Sequence, residues 1–303
     1  MKDRKIPVLL LIFNRPKATM MVFDEIKKYR PKQLFVAADG PMKGNGYSKI
    51  RCEQARKITE KIDWKCEVKR LYRNKNMGLK ASIYEALNWF FNNVEEGIIL
   101  EDDCVPDMSF FRFCGKMLKK YKNDRRVMHI GGSNFLPSEM QKREGYYFSK
   151  YSNVWGWATW RRAWKKMDFS MRNWYKFEKS TKFKLILPNY WEQKYWSIFA
   201  NALKNGKINS WAYRWLFSIW ENEGISISPG VNLVKNVGLT GGGTHVNTNI
   251  KILKTKIKAI NSDVSPFDSS YSELADEYAR KHVYRISPVM VFAQWAYYTF
   301  RRV

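Results

Sequence analysis

The stretch Gly97-Ile98-Ile99-Leu100 runs without a break into Glu101-Asp102-Asp103-Cys104. A short apolar run of this kind reads as a buried strand. Three carboxylates at the end of such a strand are costly unless a cation meets them. In open α/β sheets, ligands bind at the carboxyl ends of the strands. Two readings compete at this turn. One is a site for Mg²⁺ or Mn²⁺, hard cations that suit oxygen ligands. The other is a solvated acidic turn ahead of a helix expected from about Asp107.

Three earlier segments, residues 6–13, 34–38 and 66–72, also read as strands. The pieces between them read as helices. Pro16 suits the first turn of one that runs to Tyr29, and a polar one spans about 48–62. A third, from 78 to 94, gathers Ile83, Ala86, Leu87, Phe90 and Phe91 on one side. The alternation predicts an α/β fold, a mainly parallel sheet flanked by helices.

Each strand end offers polar residues to one crevice. Asn14 and Arg15 follow the first strand, Asp39 the second, and Arg73, Asn76 and Lys80 the third. Arg15 can grip a phosphate bidentately. Asp39 can accept from a nucleobase or ribose. Lys80 opens a helix whose N-terminus favours an anion. Singly, each would serve as well as a cap or a surface charge. Together they point to a nucleotide diphosphate, with the acidic turn holding the metal that bridges it to the protein.

The chain has 303 residues, 45% of them hydrophobic, enough for one large or two small domains. Its formal net charge is +26. Nucleic acid, an anionic membrane surface or small anionic substrates would each explain that excess. No paired zinc ligands and no RNP signature occur, so no nucleic-acid partner is expected. Cys52, Cys66, Cys104 and Cys114 lack metal-type spacing, and no leader is expected ahead of the first strand. A reduced, cytoplasmic protein is the expectation.

A further strand at 127–130 leads to Gly131-Gly132-Ser133-Asn134, and 146–152 reads as extended. Ten of the thirteen tryptophans fall between 155 and 220. Aromatic faces stack on sugars or fill a core. Most are expected in the core, with Trp155, Trp157 and Trp211 beside the pocket and Asn134 bonding a sugar. Short strands are expected at 225–228 and 231–237. His245 follows Gly241-Gly242-Gly243-Thr244, a tether that could close over a ligand or simply leave the ring exposed.

The piece 249–303 is basic and aromatic, with Lys251, Lys254, Lys256 and Lys258 before a polar, turn-rich 261–272. Its last helix, 289–300, is shorter than the roughly 20 residues that span a bilayer. Trp295, Tyr297, Tyr298 and Phe300 beside Arg301 and Arg302 suit an interfacial helix; a helix docked on the protein body is the other reading. The charge favours peripheral attachment to the inner face of the cell membrane.

The ordered set Phe13-Asn14-Arg15-Pro16, Asp39-Gly40, Asn76-x-Gly78, Glu101-Asp102-Asp103 and Trp155-Gly156-Trp157-Ala158-Thr159-Trp160 resembles bacterial GT-A glycosyltransferases over about residues 6–246. More distantly it is similar to the Golgi N-acetylglucosaminyltransferase that starts complex N-glycans. The resemblance implies a GT-A fold over 1–248, with a nucleotide-binding part to about 130, an acceptor part after it and 249–303 as an extension. It implies a nucleotide-diphosphate sugar donor, UDP favoured, and Mn²⁺ or Mg²⁺. Arg15 would touch the diphosphate and Asp39 the base. Asp102 would lie near the ribose or donor sugar, and Glu101 would belong to the donor-binding set. Asp103 would ligate the metal, with His245 completing its shell. A lipid-linked surface glycan is the expected acceptor.

Inverting transfer needs a base for the acceptor hydroxyl. In the resembled family a tryptophan–acid pair at the start of a late helix supplies it. The matching stretch here is Ser210-Trp211-Ala212-Tyr213, with alanine where aspartate is expected. An inactivated variant is the favoured reading. Natural loss, or a base elsewhere (Asp168, Glu192 or Glu221), are the others. A non-catalytic sugar-nucleotide or glycan binder and a nucleotidyltransferase are the rival functions.

Overall fold

The computed structural model describes residues 5–238 and 256–300. The first half alternates β1 (Val8–Ile12), α1 (Pro16–Tyr29), β2 (Gln33–Ala38), α2 (Gly46–Ile58), β3 (Glu67–Tyr72), α3 (Leu79–Asn93) and β4 (Glu96–Glu101). Then come β5 (Cys104–Pro106), α4 (Met108–Lys120), β6 (Val127–Gly131), β7 (Gly145–Ser149) and β8 (Trp157–Trp160). A helical stretch follows: α5 (Arg161–Trp164), α6 (Trp174–Glu178), α7 (Thr181–Ile186), α8 (Tyr190–Lys204) and α9 (Ala212–Glu221). The chain closes with β9 (Ile225–Pro229), β10 (Val234–Asn236), β11 (Ser265–Pro266), α10 (Ser269–Tyr278), a π-helical turn Ala279–Val283 and α11 (Pro288–Phe300).

Nine strands form one sheet in the order β11-β7-β9-β6-β8-β4-β1-β2-β3. From β3 to β4 every pair is parallel, as the sequence predicts. Helices cover both faces there, so all five residues of β1 are buried and none alternates outward. Leu9 and Leu11 pack on the side of α3, whereas Val8, Leu10 and Ile12 pack on the side of α1 and α4.

The sequence reading missed β8. It lies antiparallel between β4 and β6, in the middle of the sheet. This places Trp157 at the heart of the core. Trp164, Trp174, Trp196, Trp211, Trp215 and Trp220 join it in the layer built with α3 and α5–α9.

Residues 258–278 return to the sheet. Lys258 N–H donates to Asn232 O at 2.9 Å, and Asn261 N–H to Arg143 O at 3.0 Å. β11 pairs with β7, and Asp276 accepts from Ser149 Oγ at 2.5 Å. α11 leans on α8.

Candidate functional site

β1 and β4 are neighbours in register, Leu11 opposite Glu101, so the turn after β1 meets the acidic turn after β4. Phe13 N–H donates to Asp102 Oδ2 at 3.2 Å. Arg15 Nη1 lies 2.7 Å from Asp103 Oδ2 and 3.7 Å from Asp102 Oδ1. The thiol of Cys104 donates to Asp103 Oδ1 at 3.5 Å. β10 pairs with β5 and carries Asn236–Gly238 onto the same turn, where Val237 N–H donates to Asp103 O at 2.8 Å. A Cβ on Gly238 would strike the Asp103 carboxylate. His245 lies outside the described residues.

The solvated-turn reading does not hold. Asp102 is buried, and α4 is capped by Asp107, which accepts from Ser109 N–H at 2.8 Å. Instead, Glu101 and Asp102 line a cleft of about 240 Å³ at the carboxyl ends of β1, β2 and β4. Its other walls are mostly apolar: Leu11, Ile12 and Phe13 on one side, Met42 above, Leu79 and Ile83 from α3. Phe13, Met42, Leu79, Ser82 and Ile83 were not foreseen. Apolar residues at strand ends and an exposed methionine in a turn carry no chemical signal of their own.

One guanidinium faces three carboxylates. Burial, then the neighbouring charges of Asp103 and Asp102, push Glu101 up to about 8. Burial, then Asp103, pushes Asp102 up to about 7, against the pull of Arg15. The turn is short of positive charge. Among the described residues no three or more His, Cys, Asp or Glu side chains form a ligand cage. The turn nevertheless fits a hard divalent cation in donor type and in charge. Mg²⁺ in particular is commonly held by one or two carboxylates, with phosphate oxygens and water filling the rest.

Asp39 shapes the cleft wall. Its carboxylate accepts from Gly40 N–H at 2.8 Å, Met77 N–H at 3.0 Å, Gly78 N–H at 3.1 Å and Asn76 Nδ2 at 3.2 Å. These four donors take up its lone pairs, so a nucleobase would have to displace one of them. They fold the 76–78 loop against the end of β2. The approach is so close that a Cβ on Gly40 would strike the Lys75 backbone, and Gly78 turns the chain into α3 at φ 79°. Asn14 contributes its carbonyl to Arg51 Nε at 2.8 Å.

Arg73 does not line the cleft. It reaches Ser82 Oγ at 3.3 Å and Glu85 Oε2 at 3.2 Å, tying β3 to α3. Lys80 stands in the first turn of α3, 5.9 Å from the Phe169 ring. Burial, then repulsion from Arg214, lowers its pKa.

The expected sugar-facing residues do not line this cleft. Trp157 is fully buried, stacked on His129 at 5.2 Å and on Trp211 at 5.8 Å. Trp211 is buried as well, because both rings fill the layer beneath the central strands. Trp155 is half-buried, edge-on to Phe135 at 5.1 Å. Asn134 donates from Nδ2 to Pro229 O at 2.7 Å and accepts from Leu136 N–H at 2.8 Å. It is a buried loop brace with its amide already used.

Ala212 is the first residue of α9, whose N-terminus has no side-chain cap. Arg214, two residues on, is buried and donates to Phe169 O at 2.7 Å and Leu203 O at 2.9 Å. A helix N-terminus by itself favours an acid in its first turn. The alternative bases lie elsewhere. Glu192 accepts from Tyr151 Oη and from Lys150 Nζ at 3.0 Å. Glu221 stands nine residues along α9, about 13 Å of helix rise, and burial, then Asp168, pushes it up to about 7. Asp168 Oδ2 accepts from Asn173 N–H at 3.0 Å. None of the three lines the cleft.

No protein-family model matches the chain, and no curated protein does. Among solved structures, it is similar to the mannosyltransferase PcManGT of Pyrobaculum calidifontis, in complex with GDP-Man and Mn²⁺. That match has 8% identity over 72% of this chain and 69% of that one, at a TM-score of 0.36. The 4-diphosphocytidyl-2C-methyl-D-erythritol synthase of Anaerococcus prevotii matches with 9% identity over 92% and 100%, at 0.37. HddC of Yersinia pseudotuberculosis matches with 9% identity over 52% and 77%, at 0.31. Overlaps this loose decide nothing about activity. What the chain shows by itself is an α/β protein with a mainly apolar cleft and an under-neutralised acidic turn at the carboxyl edge of its parallel strands.

Proposed function

We propose that this protein is a GT-A glycosyltransferase that takes its sugar from a nucleotide-diphosphate donor and uses Mn²⁺ or Mg²⁺. The observation that carries the reading is the cleft beside the Glu101–Asp103 turn. Its apolar walls suit a flat base, and three carboxylates crowd beside it with one guanidinium among them. Asp103 would hold the metal together with the diphosphate. When bound, the metal spreads the charge that builds on the leaving nucleoside diphosphate.

The chain's own residues then have distinct tasks. Ile12, Phe13, Met42 and Leu79 enclose the base. Asp39 holds the 76–78 loop in the shape that encloses it. The first N–H groups of α3, with Lys80, offer an anion site at the cleft rim. Arg15 keeps Asp102 and Asp103 in place and would share them with the incoming phosphates. His245 would complete the metal shell. The acceptor is a lipid-linked surface glycan at an anionic membrane, and the transfer is inverting.

Ala212 has no group that can accept a proton. In this reading it stands where the base belongs, and Ala212→Asp raises turnover by about 10²–10⁴-fold. The measurement is release of nucleoside diphosphate from a panel of sugar donors with a glycan-lipid acceptor. Equal turnover in both forms would remove position 212 from the reaction. Ala212 also favours a second reading, a binder of sugar nucleotides without transfer. That reading predicts donor binding in both forms and turnover in neither. Pyrophosphate as the product would identify a nucleotidyltransferase instead.

A further inference from the structure

α11 reverses the usual pattern of a surface helix, which hides its apolar stripe and shows its polar one. Val291 is buried, on the side facing α8. On the opposite side Val289 is 76% exposed, Phe292 67% and Phe300 75%. Successive turns bring these onto one face. The rings form a ridge: Phe292 lies 5.6 Å from Trp295, and Trp295 lies 6.3 Å from Phe300. No residue between Arg285 and Arg301 carries a charge. A contiguous apolar patch of this kind marks an interaction surface.

The surroundings identify its partner. Arg285 is exposed just before the helix, and Arg301-Arg302 follow it in sequence. α8, the helix on which α11 rests, presents Lys194 and Lys204 to solvent. The chain as a whole carries +26. Apolar and aromatic side chains on one face, with cations at the flanks, match the acyl–headgroup boundary of an anionic bilayer. Among the described residues no helix is long and apolar enough to cross a membrane, so the helix would lie in the interface.

We propose that the outer face of α11 (Val289, Phe292, Trp295 and Phe300) is a membrane-docking surface for anionic lipid, with the rings in the acyl boundary and the flanking cations on the headgroups. The donor cleft plays no part in this surface. Failure of the docking surface would remove the membrane setting of the acceptor and leave the donor site standing, and the donor-binding assay without vesicles separates the two.

The test is co-sedimentation of the full chain with vesicles of phosphatidylglycerol mixed into phosphatidylcholine, against phosphatidylcholine alone. Wild type should pellet with the anionic vesicles and be released by salt. F292S and F300S should each lower partitioning by on the order of tenfold. Both rings already face solvent, so the thermal midpoint without vesicles should not move. Undiminished pelleting of the double variant F292S/F300S would overturn the proposal. So would equal binding to neutral vesicles. Sedimentation velocity covers the remaining occupant: a wild-type dimer that becomes monomeric in the double variant would make the face a contact between two copies, and would also overturn it.

Discussion

Two groups of buried and half-buried acids in this molecule differ in what surrounds them. At the end of β4, Glu101, Asp102 and Asp103 share one guanidinium, from Arg15. Between β7, α8 and α10, Glu192 and Asp276 are fully served. Glu192 accepts from Tyr151 Oη and Lys150 Nζ, and Asp276 from Ser149 Oγ at 2.5 Å and Lys150 N–H at 3.1 Å. The second group holds the β7–β8 connection, α8 and α10 together. The first is short of cations, and two of its acids line a cleft. A buried acid whose bonds are complete is architecture. One left short of cations at an open strand edge is where the proposed donor and metal would bind.

The sharpest way to break that contrast is to remove one acid from each group. Glu192→Ala leaves Lys150 and Tyr151 without their partner and should cost about 3–5 kcal/mol in a urea melt. Asp103→Asn relieves a crowded set of charges, so ligand-free stability should hold or rise. Equal losses in the two variants would mean that the acidic turn is as structural as the Glu192 network.

His129 sharpens the comparison with a buried base. It is fully buried. It accepts from Trp215 Nε1 at 3.2 Å on Nδ1, so Nε2 carries the proton toward Asn153 O at 3.1 Å. Burial pushes it down to about 4. The unfolded chain protonates near 6.5. Between pH 6.5 and 4 the unfolded state therefore gains a proton that the folded state refuses, and stability falls as pH falls. The loss is about 3 kcal/mol and levels off below pH 4. Denaturant melts across that window should show a steeper decline for wild type than for His129→Gln. Parallel curves would mean that the ring is protonated in the fold.

Much of the fold could be read from the chain because its first half is regular. Apolar runs without alternation announce parallel strands covered on both faces, and β1 to β4 appear where they were expected. β8 escaped because Trp157-Ala158-Thr159-Trp160 is only four residues long and shows no clear period. Only the sheet shows that its backbone is paired on both sides. The site was legible in part. Residue type and position located the acidic turn and the strand-end polar residues. Their partners decided their roles: Asp39 is occupied by the 76–78 loop, Arg73 by Glu85, and Asn134 by Pro229 and Leu136. Bonds across dozens of residues of sequence cannot be read from local pattern. The cleft walls were invisible for a simpler reason, since an apolar residue at a strand end looks the same facing a ligand or a core.

The most direct test of the central claim is a thermal-shift panel of nucleoside diphosphates, with Mn²⁺ and with a chelator, on wild type and Asp103→Asn. It needs neither an acceptor nor a catalytic base, so Ala212 does not interfere. A ligand present at 100 times its dissociation constant stabilises by about 2.7 kcal/mol, which raises the midpoint by a few degrees in a chain of this size. The account predicts a Mn²⁺-dependent shift with one diphosphate, UDP first, that Asp103→Asn abolishes. The absence of a shift with every nucleotide, with and without metal, would contradict it.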